Sequence, residues 1–192
     1  CATSLVYFFL IYLKNLVSKN IKFDFNKYLF FSAIATICDQ MPLRELNKSI
    51  VNQGIQFNNL KHFKNFNKLL NTKKKIKSSD IGYNLGPLLN SPSRLGNSNL
   101  PMKLLLESNL NKIIKISEKI VIKNNKRKKI QKNIFKLLND RLNLSNKEII
   151  FLYEKNINEG IIGIIAANFV EIYNKPTFIL TTANNYIKCS SR

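Results

Sequence analysis

The sequence predicts an α/β fold in which a mainly helical segment precedes a β-α-β unit. Three runs near the end of the chain indicate that unit: EIIFLYE at 148–154, EGIIGIIAANFVEIYNK at 159–175 and KPTFILTTA at 175–183. The first and third are rich in β-branched and aromatic residues and predict strands, whereas the second predicts a glycine-led helix. Strand, helix and strand at this spacing are typical of a βαβ unit, so a second α/β domain is predicted to start near residue 148.

The N-terminal part is predicted to be helical. Residues 4–18 are apolar nearly all round and predict a buried core helix, too short to span a bilayer, which takes about 20 residues. A second apolar segment, 23–37, ends beside Asp39. Pro42 suits the first turn of a third helix. Apolar residues then recur at helical spacing at Leu43, Leu46, Ile50 and Val51.

The middle of the chain contains a loop-like stretch and then a long helical one. The segment GYNLGPLLNSPSRLGNSN at 82–99 is dense in Gly, Pro, Ser and Asn, which predicts a shaped loop. Residues 100–139 are almost free of glycine and predict one long helix, or two in sequence. Residues 119–136 carry eight basic side chains and no acid, so this helix is expected to expose a basic side and to connect two domains.

The composition favours an anionic partner. The 31 Lys and Arg residues against 11 Asp and Glu residues give a formal net charge of +20, which suits nucleic acid or an acidic membrane surface. The bias of an AT-rich genome toward Lys, Asn, Ile, Phe and Tyr accounts for part of this charge. The three cysteines are far apart, which argues against structural zinc and a disulfide framework. A reducing cytoplasm is therefore the expected location.

Few residues on their own predict chemistry. Asp39 follows a strongly apolar segment, IATIC, and is a helix-end carboxylate, a salt-bridge partner or a metal ligand. Glycines of EGIIG open a helix whose backbone N–H groups can receive an anion. The terminal KCSSR places two hydroxyls and an arginine after a strand, which suits phosphate binding. Serine-hydrolase, P-loop, Rossmann and zincin motifs do not occur.

In chain order, these pieces resemble the Asp-His-His (DHH) phosphoesterase family, and within it the exonucleases specific for single-stranded DNA. IATICDQMPL resembles the family's Asp-x-x-Pro motif, and GPLLNSPSRLGNS resembles its Gly-Pro-Arg-Ile-Asn-Ala-x-Gly-Arg-Leu loop. EGIIGIIAANFVEIYNKP resembles the start of the DHH-associated domain, and KCSSR resembles the start of Lys-Gly-Ser-x-Arg-Ser. Even CATSLVYFFLIYL resembles the buried helix after the Asp-His-His segment. Only residues around 57–79 are unaligned.

The resemblance implies a domain organisation. Residues 1–75 would be the C-terminal part of the DHH catalytic domain. Residues 76–146 would be the motif loop and the long basic connector helix. Residues 147–192 would start the DHH-associated nucleic-acid-binding domain. The upstream aspartate motifs and the Asp-His-His triplet do not occur in these 192 residues, so the chain is expected to be an internal fragment that is inactive alone.

The resemblance also implies a reaction and its residues. The activity would be metal-dependent 5′-to-3′ hydrolysis of single-stranded DNA in DNA repair and recombination, with two Mn²⁺ or Mg²⁺ ions. Asp39 maps onto a catalytic metal ligand. The resemblance implies single-strand-binding protein and a helicase as partners. It implies no association with a membrane. The strand-binding positions map onto Asn90, Arg94, Gly160, Gly163, Ser190 and Arg192.

This sequence departs from the family pattern in places, and two other functions remain open. The alternatives are another DHH-family phosphodiesterase acting on short oligonucleotides, and a noncatalytic nucleic-acid-binding remnant. The departures replace arginine, glycine or histidine, and several of the replaced groups are cationic or polar contacts to a strand. They are Leu88, Ser93, Asn158, Asn168 and Cys189.

Overall fold

The computed structural model describes residues 1–17, 24–56, 64–71, 75–142 and 148–192. The chain divides into two compact units, each of which is described by itself. Within the described ranges no helix is long and apolar enough to cross a membrane. The elements, in chain order, are helices α1 (Ala2–Val17), α2 (Leu29–Cys38), α3 (Glu45–Gln56), α4 (Lys64–Leu69), α5 (Ser78–Asp80), α6 (Gly86–Arg94), α7 (Asn99–Leu106) and α8 (Leu110–Asp140), strand β1 (Ile150–Tyr153), helix α9 (Glu159–Tyr173), and strands β2 (Thr177–Ala183) and β3 (Tyr186–Ser191).

The first unit, residues 1–89 and 107–117, is helical in its described part. Helix α2 supplies its centre, because Phe30 and Ala33 are fully buried. Phe30 packs edge-to-face on Phe66 of α4, with ring centroids 5.8 Å apart. Gly54 of α3 allows a close approach to α2, since a Cβ there would lie 2.7 Å from the Cβ of Ala33. Burial of the α2 face therefore organises this unit.

Two predictions for the first unit need correction. Helix α1 forms as predicted, but only Ser4 and Tyr7 are buried, and most of its large apolar side chains are exposed. The described residues leave these apolar side chains of α1 uncovered, so the prediction of a buried core helix is wrong for this chain. Helix α3 begins at Glu45 rather than at Pro42. Part of the unaligned region, residues 57–63 and 72–74, lies outside the described residues.

The predicted loop at 82–99 is helical as far as Arg94. A π-helical turn at Ile81–Leu85 joins α5 directly to α6. Tertiary burial overrides the local composition here, because Ile81 and Leu85 are both fully buried. Pro87 is the second residue of α6, and Pro92 lies inside the same helix.

The second unit, residues 90–106 and 118–192, contains the predicted β-α-β arrangement. Strand β1 pairs parallel with β2, and β3 pairs antiparallel with β2. Helix α9 connects β1 to β2 and buries its apolar face. The core of this unit is a cluster that includes residues of α8, β1, α9 and β2: Leu138, Ile150, Ile157, Ile161, Ile162, Ile165, Ala166, Phe169 and Ile179.

The long glycine-poor stretch forms two helices in sequence, α7 and α8, which was one of the two predicted outcomes. In α8, Ile120 and Leu138 are buried. From Lys119 onward the opposite side of α8 is basic and exposed, as predicted, at Lys119, Lys126, Lys128, Lys129, Lys132 and Lys136.

Candidate nucleic-acid interface

The six predicted strand-binding residues lie in the second unit, whereas Asp39 lies in the first. The structure brings five of the six together in two sets of contacts around the start of α9. One set joins Arg94 to Gly160, and the other joins Gly163 to Ser190 and Arg192. These two sets of contacts define the candidate interface.

The start of α9 is fixed by the sheet and by a cap. The hydroxyl of Thr181 accepts from the backbone N–H of Ile157 at 3.0 Å and donates to the Ile157 carbonyl at 3.1 Å. The next residue, Asn158, is the N-cap of α9 and accepts from the N–H of Gly160 at 2.9 Å. Asparagine is among the best N-cap residues. Asn158, a departure from the family pattern, therefore has a structural role here.

Arg94, at the end of α6, is held against the first turn of α9. Its Nη1 donates to the Gly160 carbonyl at 2.9 Å. A Cβ on Gly160 would lie 2.6 Å from the Arg94 carbonyl oxygen, so glycine is what permits this approach. Asn90 is exposed and lies one turn before Arg94, at i and i+4 on α6. Its backbone carbonyl accepts from the hydroxyl of Ser93 at 2.8 Å.

The end of β3 passes over the next glycine of α9. A Cβ on Gly163 would lie 3.1 Å from Oγ of Ser190 and 3.5 Å from Nη2 of Arg192. Both side chains therefore lie above the N-terminal half of α9. Nη1 of Arg192 donates to the Ser191 carbonyl at 2.8 Å, and its side chain is exposed. A hydroxyl and a guanidinium placed over the positive end of a helix suit an anion.

Arg94, Gly160, Gly163 and Ser190 line an open pocket of about 470 Å³. Inside it, Nζ of Lys188 pairs with a carboxylate oxygen of Glu159 at 2.7 Å, and about half of each side chain is exposed. Such an exposed pair contributes roughly 0–1 kcal/mol, so it can open when an anion competes for the lysine. The lining residues are Arg94, Glu159, Gly160, Ile162, Gly163, Lys188, Cys189 and Ser190.

Sequence reasoning missed Lys188 and Glu159 as parts of this pocket. Lys188 is the first residue of the KCSSR run and lies two positions before Ser190 on β3. Because side chains two positions apart in a strand lie on the same face, this spacing could have indicated that Lys188 and Ser190 share one face. Glu159 carried no such signal, because first-turn carboxylates are common at helix starts. Cys189, which replaces a glycine of the family pattern, is exposed at the pocket rim.

Asp39 is the C-cap of α2 and is exposed. The helix ends in a Schellman motif, with Gln40 N–H donating to the Ile37 carbonyl at 3.1 Å and Met41 N–H donating to the Thr36 carbonyl at 3.0 Å. The described residues offer the Asp39 carboxylate no hydrogen bond or ion pair. A carboxylate at the negative end of a helix is unfavourable. Asp39 is therefore not explained as a stabilising cap or as a salt-bridge partner.

The Asp-x-x-Pro and Gly-Pro motifs lie side by side in the first unit. A Cβ on Gly86 would lie 2.7 Å from Sγ of Cys38, the residue before Asp39. Burial, and next the charge of Asp39, raise the pKa of the Cys38 thiol. Across the described ranges, no three His, Cys, Asp or Glu residues cluster to hold a metal. The residues present therefore fit one metal ligand and not a complete two-metal site.

The fold and these motifs define a class: the chain resembles proteins of the DHH phosphoesterase family. No protein-family model matches it. In sequence it is similar to the single-stranded-DNA-specific exonuclease RecJ of Haemophilus influenzae, with 27% identity over 165 residues. The RecJ of Salmonella typhimurium is 25% identical over 164 residues. Each match covers 80% of this chain and 28% of the relative, so the chain spans less than a third of these relatives.

Solved structures give the same resemblance. RecJ from Thermus thermophilus in complex with Mn²⁺ matches with a TM-score of 0.74 and 20% identity, over 81% of this chain and 24% of that one. An exonuclease RecJ bound to manganese matches with a TM-score of 0.72 and 21% identity, over 81% of this chain and 40% of that one. The predicted α/β fold class and the resemblance to part of a RecJ protein are confirmed.

Proposed function

We propose that this chain is part of a metal-dependent exonuclease that hydrolyses single-stranded DNA from the 5′ end. The observation that carries the proposal is the convergence of Arg94, Ser190 and Arg192 around two glycines at the start of α9. The similarity to RecJ across four fifths of the chain supports it. The whole protein would act in DNA repair and recombination in the cytoplasm, with single-strand-binding protein and a helicase as partners.

In this proposal the second unit holds the strand. Arginine suits phosphate because its planar guanidinium can donate two parallel hydrogen bonds. Arg94, which Gly160 fixes in place, and Arg192, which is exposed, would contact phosphate oxygens together with the Ser190 hydroxyl. Asn90 would add a contact from the same face of α6. The basic side of α8 would add salt-dependent attraction to the phosphate backbone.

Asp39 is the one residue of this chain that we assign to the metal site. Its exposed carboxylate has no partner among the described residues, and hard cations such as Mn²⁺ and Mg²⁺ prefer oxygen ligands. A two-metal site needs several converging ligands, which other segments of a complete protein would supply. When bound, such ions activate water and stabilise charge on the phosphate. Because one carboxylate cannot form this site, we expect no metal-dependent nuclease activity from the 192-residue chain.

A noncatalytic nucleic-acid-binding function is a second candidate. It is favoured by the departures at Leu88 and Asn158, which replace a cationic and a titratable side chain of the family pattern. The third candidate, a phosphodiesterase acting on short oligonucleotides, differs from the first in the substrate length that it prefers.

Salt-dependent binding of the 192-residue chain to a labelled single strand tests the strand-holding role. Arg192→Ala should reduce the slope of log K against log salt by about 0.7, the value for one phosphate contact on a single strand. Arg141→Ala is the matched control, because it removes the same charge from an exposed pair with Glu154. Equal slopes for the wild type and Arg192→Ala would contradict the assignment of the KCSSR run.

The catalytic part is tested in a complete protein that contains this chain. There, Asp39→Asn should abolish Mn²⁺-dependent release of mononucleotides while leaving single-strand binding intact. Retained hydrolysis would remove Asp39 from the metal site. Activity of the isolated chain in Mn²⁺ would contradict the expectation that it is inactive alone, and binding without any hydrolysis in the complete protein would favour the noncatalytic candidate.

A further inference from the structure

A row of three polar side chains runs along β3 on the side of the sheet that packs against α9. In the antiparallel register with β2, Lys188 lies opposite Thr181 and Ser190 lies opposite Ile179, and both of these β2 residues are buried. Residues directly opposite each other in a sheet lie on the same face, so Lys188 and Ser190 share the α9 side. Arg192 comes two positions later and continues the row. The ammonium of Lys188 therefore belongs to the same row as the hydroxyl and the guanidinium of the candidate interface.

Glu159, the first residue of α9, holds the lysine end of this row. Its Oε2 lies 2.7 Å from Nζ of Lys188, and about half of each side chain is exposed. Among the described residues that line the pocket, Glu159 is the only acid, and Lys188 and Arg94 are cations. Arg94, Glu159 and Gly160 also line a second pocket of about 340 Å³. The carboxylate therefore lies at the shared wall of two open pockets, in a place where the other polar groups suit an anion.

A phosphate and the Glu159 carboxylate would compete for this place. The first turn of α9 favours negative charge through its backbone N–H groups and the helix dipole, and a phosphate would use the same field and the same lysine. Two negative groups in one pocket repel each other. The exchange costs little, because an exposed ion pair contributes weakly and the lysine ammonium turns on a flexible stem.

We propose that Lys188 is a further strand-binding residue and that Glu159 is its competitor within the protein. In the free protein Glu159 holds Lys188. When a strand binds, a phosphate replaces the carboxylate and Lys188 passes to the phosphate. That the phosphate belongs to a DNA strand rests on the proposed function. The phosphate is either an internal backbone group or the terminal 5′ group of the strand.

Binding of the 192-residue chain to a labelled oligothymidylate at physiological salt tests the role of Glu159. Glu159→Gln frees Lys188 and should strengthen binding by about two- to fivefold, the factor that corresponds to an exposed ion pair. Glu154→Gln is the matched control, because Glu154 pairs with Arg141 at 2.5 Å and neither residue lines this pocket in the described part of the chain. It should change the affinity less, since salt largely screens charges outside the pocket. Equal gains for the two variants, or no gain for Glu159→Gln, would overturn the proposal.

The role of Lys188 is tested by the salt dependence of the same binding. Lys188→Gln should reduce the slope of log K against log salt by about 0.7, the value for one phosphate contact on a single strand. Lys188→Arg should keep the wild-type slope. If Lys188 stays with Glu159 in the complex, Lys188→Gln leaves the slope unchanged, and the proposal fails.

The double variant Lys188→Gln/Glu159→Gln separates competition for the lysine from simple repulsion of the strand. Without Lys188 there is no cation to release, so the gain from Glu159→Gln should shrink in the Lys188→Gln background. A full gain there would mean that Glu159 only repels phosphate, and it would overturn the exchange. If Glu159→Gln does not fold, the slopes of Lys188→Gln and Lys188→Arg decide the proposal.

The two sources of phosphate give different results. An effect of Lys188→Gln on 5′-phosphorylated strands alone assigns the contact to the terminal group, whereas an effect on 5′-hydroxyl strands as well assigns it to an internal phosphate. Either result supports the exchange.

Failure of this inference is distinguishable from failure of the proposed function. A chain that binds the strand through Arg192, with no effect of Lys188→Gln or Glu159→Gln, refutes the exchange and leaves the proposed function standing. If the wild type binds no strand, the proposed function fails, and tripolyphosphate becomes the probe of the pocket. Tighter binding of tripolyphosphate by Glu159→Gln than by Glu154→Gln, measured by calorimetry, would then support the exchange, and equal binding would overturn it.

Discussion

Gly160→Ala isolates the contact on which the candidate interface is built. The added Cβ would lie 2.6 Å from the carbonyl oxygen and 2.9 Å from the Cα of Arg94. Both are backbone atoms, so rotation of a side chain cannot relieve the clash, and the end of α6 must move. Overpacking of this kind costs about 1–3 kcal/mol. Alanine recovers up to about 1 kcal/mol of helix propensity, and less in a first turn.

The expected net loss is about 1–2 kcal/mol of unfolding free energy, the difference between the overpacking cost and the propensity gain. The chain has no tryptophan, so urea unfolding is followed by circular dichroism. With a slope of about 1–3 kcal/mol per molar urea, the midpoint should fall by roughly 0.3–2 M. Strand binding should weaken as well, because Arg94 loses its fixed position against Gly160.

Gly163→Ala is the matched control. Its Cβ would lie 3.1 Å from Oγ of Ser190, a side-chain atom that can rotate away. This variant should therefore lose less stability than Gly160→Ala. If Gly160→Ala unfolds at the wild-type midpoint or above it, or if Gly163→Ala is the less stable of the two, the backbone contact with Arg94 does not exist as described.

Three further predictions concern the ends of helices. Gln40 has a φ of 51° at the end of α2, a left-handed conformation that glycine adopts more easily than glutamine. Gln40→Gly should therefore raise the free energy of unfolding in urea by up to about 1 kcal/mol. An unchanged urea midpoint would argue against the Schellman motif. Asn158→Ala should cost about 1 kcal/mol in the same assay, and Asn158→Ser should recover most of it. The backbone N–H of Asn109 donates to the Glu107 carboxylate and lowers its pKa. Desolvation raises that pKa, whereas the backbone N–H of Ser108 and the charge of Lys112 lower it further. Its contribution to stability is therefore present above its unfolded pKa and is lost as the pH falls through the folded value, so Glu107→Gln should flatten the acid limb of a stability-against-pH curve.

Local patterns were sufficient for the second unit. The strands of the β-α-β arrangement are short apolar runs, and α9 is bounded by two local signals, the Asn158 cap and a left-handed Asn174. The strands depend on residues that are neighbours in sequence, so the sequence alone predicts them. The long α8 was equally predictable, because no glycine or proline interrupts it.

Local patterns failed where burial opposed composition. The stretch around Gly82, Gly86 and Pro87 has the composition of a loop, yet it is helical because Ile81 and Leu85 are fully buried. The reverse error occurred in α1. Its sequence is that of a core helix, but the described residues cover little more than Ser4 and Tyr7. Composition describes what a segment can bury, and only the tertiary structure decides what covers it.

The sequence by itself determined the α/β class, the order of its motifs and the resemblance to part of a RecJ protein. Only the tertiary structure decided that Arg94 lies against Gly160 and that Ser190 and Arg192 lie over Gly163. The physical reason is the range of the interactions. Caps, turns and periodicity act between close neighbours in the chain, whereas the interface depends on contacts between residues such as 94 and 160 that folding brings together.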